Sequence, residues 1–183
     1  IMNHSVEEAN KYLALYSRFT NTLLMDVDKP SRSLDEELEY ARLYLTLEQL
    51  RYGENLAYDI HTDPDANLHI QVPNMMLHTY CENAVKHGLR NKPGHGHIRI
   101  EVRKQPRGVI VAVTDDGIGR EAAATLSATS TKQGLSIMEQ QIELYNQCNN
   151  EHIVQNVTDL KDPDGNACGT RFELYIPYHY NYF

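Results

Sequence analysis

Tryptophan is absent from this sequence, and phenylalanine and cysteine occur three times each. A core must therefore be built from aliphatic side chains and from tyrosine, of which there are twelve. Cys81, Cys148 and Cys168 are odd in number and widely spaced, which excludes a disulfide framework and suits a reducing compartment. No apolar run approaches the roughly 20 residues that a membrane-spanning helix needs. Residues 1–5 carry neither the charged nor the apolar region of a secretory signal. Positive charge is also scarce: 17 Lys and Arg face 25 Asp and Glu, a net −8 with the histidines neutral. So acidic a balance excludes a general nucleic-acid binder. An anionic ligand would need local donors and a metal.

What is present is enough for one domain plus a helical extension: 183 residues, 41% of them hydrophobic. Ser5 and Glu8 form a capping-box pattern, and Val6, Ala9, Leu13, Tyr16 and Leu23 follow at helical steps. Pro30 breaks this helix. Ser33 and Glu36 repeat the box, and Leu34, Leu38, Ala41 and Leu45 mark a second helix that Gly53 ends. Beyond it the pattern predicts strands at 56–60, 68–72, 98–102, 109–113, 153–157 and 171–176. Helices are predicted at 75–87 and 134–145, and turns at 105–108 and 162–165. The mixed order predicts an α+β fold, a two-layer sandwich of one mixed sheet with helices on one face, preceded by two N-terminal helices.

Chemistry concentrates in four places. On helix 75–87, Leu77, Cys81, Ala84 and Val85 share a core-facing stripe, while Glu82, Asn83, Lys86 and His87 share the other face. Such a face is either a solvated surface or a binding surface. Strand 109–114 runs into Asp115-Asp116-Gly117-Ile118-Gly119, where glycines permit a tight turn and close ligand approach and a carboxylate can accept from a ligand amino group. Gln133-Gly134-Leu135 opens a helix, whose free N–H groups suit phosphate. Gly169-Thr170 enters the last strand. Each signal alone has an ordinary structural explanation. His78, Cys81, His95 and His97 raise a zinc site, but zinc needs four convergent ligands and Cys81 lies on the apolar stripe.

In order and spacing, Glu82-Asn83-Ala84-Val85-Lys86-His87-Gly88, then Asp115/Gly117/Gly119, then Gly134-Leu135, then Gly169-Thr170 resemble the N, G1, G2 and G3 boxes of the Bergerat-type ATP-binding fold. The resemblance is nearest to LytS/YehU-like sensor histidine kinases, and it extends to Glu36-Glu37-Leu38, Tyr44-Leu45 and Leu50-Arg51-Tyr52-Gly53. It implies ATP and Mg2+ as cofactors. Asn83 would hold the metal, with Lys86 and His87 near the phosphates. Asp115 would read the adenine amino group, Gly117 and Gly119 would admit the nucleotide, and Gly134 and Leu135 would form the phosphate-side turn. Thr170 would close the adenine side, and residues 120–133 would form a lid.

The resemblance further implies a protein histidine kinase with a response regulator as partner, often of the LytTR type, and a homodimeric parent at the bacterial inner membrane, this part being cytoplasmic. Residues 1–32 would be a remnant of the dimerisation region and 33–183 the catalytic domain. Two departures stand out. Lys132 replaces a glycine usual in the second box, so it either stiffens the lid or reaches the phosphates. The family's Asn-Pro-His-Phe-type acceptor motif does not occur, so the acceptor is expected upstream of Ile1. Hydrolytic relatives carry a glutamate where Thr79 stands. Two alternatives remain: a dimerisation or signalling module without nucleotide, and an ATPase of the gyrase or Hsp90 type.

Overall fold

The computed structural model describes residues 6–26, 28–89, 92–120, 122–123 and 132–182. Helix α1 spans Val6–Asp26 and α2 spans Leu34–Tyr52. The capping box that opens α2 is complete: Glu36 N–H donates to Ser33 Oγ (3.3 Å), and the Glu36 carboxylate accepts from Ser33 N–H (2.9 Å). The apolar stripe read along α1 is mostly exposed, with Val6, Leu13 and Tyr16 at 78%, 61% and 50%. Its contact with the rest of the chain runs instead through Phe19, whose ring stacks on Tyr40 of α2 at 4.9 Å.

Between the helices, β1 (Ser31–Ser33) pairs antiparallel with β3 (Gln71–Pro73). Residues 68–70, read from the sequence as strand, are turn instead. Their carbonyls cap α2: Leu34 N–H donates to Ile70 O and Asp35 N–H to Leu68 O, both at 2.9 Å. A helix start needs such acceptors, and these carbonyls are no longer available to a ladder.

The main sheet comprises β2 (Leu56–Thr62), β4 (Gly96–Gln105), β5 (Gly108–Asp115), β6 (Val154–Lys161) and β7 (Ala167–Pro177), in the order β2-β4-β5-β7-β6. Among the described residues only the β2–β4 pair is parallel. The helices α3 (Met76–Asn83) and α4 (Lys132–Gln147) cover one face together with α2. Alternation sorts the strands. Ile98, Ile100, Val111, Val113, Phe172 and Leu174 are buried toward the helices. On the opposite face Arg171 bridges Glu101 (2.7 Å) and Glu173 (3.2 Å), and Arg103 also reaches Glu173. Ala112 lies in register with Glu101 and Glu173 and is fully covered by that ladder. Among the described residues no helix is long and apolar enough to cross a membrane.

Candidate functional site

The carboxylate of Asp115 ends β5 almost without solvent contact, at 2% exposure. Three backbones close around it. Gly117 N–H donates to its Oδ1 at 2.9 Å. Gly88 comes so near that a Cβ there would lie 2.5 Å from Oδ1, and a Cβ on Gly117 would lie 2.2 Å from Gly88 Cα. Gly169, at φ +139°, passes the Asp115 carbonyl where a Cβ would be 2.0 Å away. Ile118 N–H donates to Gly88 O (3.0 Å), tying the glycine turn to the segment after α3. Thr170 is buried and sits in register opposite Asp115. Burial pushes the Asp115 carboxyl up to about 6, against the pull of the Gly117 N–H.

Asn83 is the last residue of α3, half-buried, and its amide has no hydrogen-bond partner among the described residues. The regular helix stops there, and a π-helical segment (Ala84–Leu89) carries the chain on to Gly88. This is a correction to the unbroken helix read over 75–87. The wider turn brings Gly88 onto Asp115, so one rod presents Asn83 and also walls the carboxylate. Lys86 is exposed and paired with Glu82 Oε1 at 2.5 Å. His87 lies in the π segment, its side chain outside the described residues.

Gly134 sits in the first turn of α4, where a Cβ would meet Thr79 Cγ2 at 3.7 Å, one turn before Asn83 on α3. Leu135 packs against the core. The helix already runs from Lys132, two residues before the expected start, and the side chains of Lys132 and Gln133 are outside the described residues, as is the lid over 124–131. The lid's first residue is anchored: Arg120 donates twice to Asp159 of β6 (2.6 and 2.7 Å).

Thus Asp115, Gly117 and Thr170 meet directly, Gly119 follows in the same turn at φ +79°, and the start of α4 meets α3 beside Asn83. Sequence reasoning left two participants without a role of their own. Gly88 entered only as the last residue of the first motif string. Lys92 pairs with Asp116 Oδ2 (2.7 Å), while His97 N–H donates to Asp116 Oδ1 (2.7 Å), so the neighbour of Asp115 is held away from the pocket. The residues raised for zinc go separate ways. His78 lies among the rings of Phe19, Tyr40 and Tyr44, Cys81 is fully buried, His95 bonds Glu54 O, and His97 pairs with Asp59.

The sequence model of the family described as histidine kinase-, DNA gyrase B- and HSP90-like ATPases matches residues 73–180, which takes in α3, the turn after β5, α4 and β7. The chain belongs to this family. The ATPase domain accordingly accounts for most of the molecule. Sensor protein LytS of Staphylococcus saprophyticus is 31% identical over 115 residues, 62% of this chain and 19% of that protein. The sensor histidine kinase/phosphatase LytS of Staphylococcus aureus strain MRSA252 is 30% identical over 129 residues, 69% of this chain and 22% of that protein. The chain therefore spans about a fifth of the length of these relatives. Among solved structures, the catalytic domain of histidine kinase ThkA aligns with a TM-score of 0.55 at 18% identity, covering 82% of this chain and 97% of that one. The complex of ThkA with the response regulator TrrA gives 0.55 at 17% identity, covering 93% and 49%. These structural matches carry the fold. With the family they establish an ATP-binding domain built on a mixed sheet with helices on one face.

Proposed function

We propose that this chain is the ATP-binding catalytic domain of a sensor histidine kinase, with Asp115 reading the adenine, Asn83 holding Mg2+ against the phosphates, and the γ-phosphoryl group passing to a histidine carried upstream and then to a response regulator. The observation that carries the reading is Asp115: a buried carboxylate fixed by backbone N–H groups on one side. A carboxylate has about four acceptor positions; the Gly117 N–H takes one and the Thr170 backbone another, so Asp115 retains capacity for an amino group. Burial keeps water from competing with that bond.

The donor set fits the implied cofactors. Mg2+ keeps most of its water and takes few protein ligands, and a single half-buried amide without a partner among the described residues is such a ligand. ATP supplies the phosphoryl group, and Mg2+ the charge neutralisation that its transfer requires. The chain's own residues bind and orient. The start of α4 offers backbone N–H groups to phosphate, Lys86 adds a positive charge at the rim, and Lys132, at the first position of α4, is the second basic residue of this reading.

Thr79 supports a kinase over a self-contained hydrolase. Its hydroxyl donates to Met75 O (2.8 Å) within its own helix, and Glu82 is paired with Lys86. Neither activates a water. In the same reading α1 is the tail of the dimerisation region of a homodimeric, membrane-attached parent, the partner regulator is of the LytTR type, and the domain faces the cytoplasm. Calorimetric titration with a non-hydrolysable ATP analogue, with and without Mg2+, tests the proposal. Mg2+-enhanced binding is expected. An absence of heat and of any thermal shift would instead mark a signalling module that has lost its nucleotide.

A further inference from the structure

The helix that carries Asn83 has no cap of its own. Its first residue follows Met75, which lies in the left-handed region (φ 63°, ψ 12°) and contributes no side-chain cap. The adjacent Asn74 amide is turned away, donating to Lys29 O at 2.9 Å. Helix starts leave N–H groups without acceptors, and here the acceptor comes from another helix. Glu37 of α2 accepts from Met75 N–H through Oε1 (2.9 Å) and from Leu77 N–H through Oε2 (2.8 Å).

Glu37 is fully buried, as a cap rarely needs to be. Its counter-charge is Arg32, 3% exposed, with Nε 3.2 Å from Oε1 and the guanidinium 5.3 Å over the Tyr40 ring. Taking a carboxylate out of water costs several kcal/mol before its partners repay it, and an exposed Ser or Asp would cap the helix at no such cost. What the buried arrangement adds is position. It fixes the start of α3 against α2 and against β1, the strand that follows α1. From that anchor to Asn83 the helix is eight residues, about 12 Å of stiff rod.

We propose that Glu37 is a positioning residue for the Asn83 amide: the carboxylate seats the start of α3, and the helix transfers that register to the metal-holding end. This rests on the nucleotide reading above. Glu37 touches neither ATP nor metal, so its signature is selective. It governs the gain in nucleotide affinity that Mg2+ confers and leaves recognition of adenine at Asp115 intact. A purely structural role would lower the unfolding temperature and weaken every ligand equally once the folded fraction is accounted for.

The experiment measures affinity for a non-hydrolysable ATP analogue with Mg2+ and with EDTA, and for adenosine, in wild type, Asn83→Ala, Glu37→Gln and Glu37→Asp, the last keeping the charge one methylene short. The expected result is a Mg2+-dependent gain that falls about tenfold in Glu37→Gln, falls in Glu37→Asp as well, and leaves adenosine affinity unchanged. Should Glu37→Gln fail to fold, Glu37→Asp decides. A Mg2+-dependent gain lost in Asn83→Ala but kept in the folded Glu37 variants overturns this inference alone. A wild type with no Mg2+-dependent gain overturns the nucleotide reading, and this inference with it.

Discussion

Gly88 lies against the carboxylate of Asp115 with no room for a side chain between them: a Cβ on Gly88 would stand 2.5 Å from Oδ1 and 2.8 Å from Cγ. The carboxylate is also tethered there, because Gly117 N–H donates to the same Oδ1. The closeness of one glycine thus fixes the direction in which Asp115 offers its remaining acceptor positions.

Gly88→Ala is therefore expected to destabilise the fold by about 1–3 kcal/mol, as overpacking of a closed site does, and to weaken adenosine binding disproportionately. Gly134→Ala is the contrast. It sits in helix α4 with its nearest contact at an ordinary 3.7 Å, and replacing a helical glycine stabilises by about 0.5–1 kcal/mol. Urea unfolding of both variants checks the pair. Equal effects would show that the Gly88 contact is not tight.

Asp115 also sets a pH dependence. Its carboxyl is raised by burial to about 6, so the acceptor form is lost as pH falls through that value. Adenosine, which has no phosphate to titrate, is expected to bind more weakly at pH 5 than at pH 7.5. Asp115→Asn should bind about tenfold or more weakly at pH 7.5, the loss typical of a hydrogen bond to a charged group, and show no such pH dependence. Calorimetry at the two pH values decides.

Stability also responds to the buried carboxyl of Glu37. Burial raises this carboxyl from 4.5 to about 7. A carboxyl raised in the folded state contributes stability that is fully present below the unfolded value and is lost as pH rises through the folded one. Asp115, raised from 3.8 to about 6, acts the same way. His78 acts oppositely. Burial lowers it from 6.5 to about 4, so its contribution is present above about pH 6.5 and lost on acidification. The wild-type profile is a difference of these effects, and a variant isolates one. The stability gap between wild type and Glu37→Gln should favour wild type more at pH 5 than at pH 8, by about 2–3 kcal/mol. A gap independent of pH would show that the buried carboxyl does not titrate in that range.

Much of this was legible in the sequence because it is local. The Ser33–Glu36 box, the 105–108 and 162–165 turns, and the alternation of β4, β5 and β7 depend on neighbours in the chain. What escaped depends on distant partners. The alternation of Leu68, Ile70 and Val72 promised a strand, but the carbonyls of Leu68 and Ile70 are taken up by the start of α2. The helix through Asn83 was read as unbroken, since nothing in Ala84–His87 forbids a regular turn. The π segment coincides with the close fit of Gly88 to Asp115, a contact between residues far apart in the chain. Glu37 entered only within the Glu36-Glu37-Leu38 string, and its role as a cap for α3 appears only when residues 37, 75 and 77 meet. The stripe on α1 was legible, yet its main inward contact, Phe19, fell between the positions counted.

On the proposed reading one nucleotide is gripped at two ends, adenine by Asp115 and metal-bound phosphates by Asn83. The decisive measurement is the affinity of Asp115→Asn and Asn83→Ala for adenosine and for the ATP analogue with and without Mg2+. Asp115→Asn should weaken all three ligands by a similar factor. Asn83→Ala should abolish only the Mg2+-dependent gain and leave adenosine untouched. Adenosine binding that survives in Asp115→Asn, or that falls in Asn83→Ala as far as ATP binding does, would contradict it.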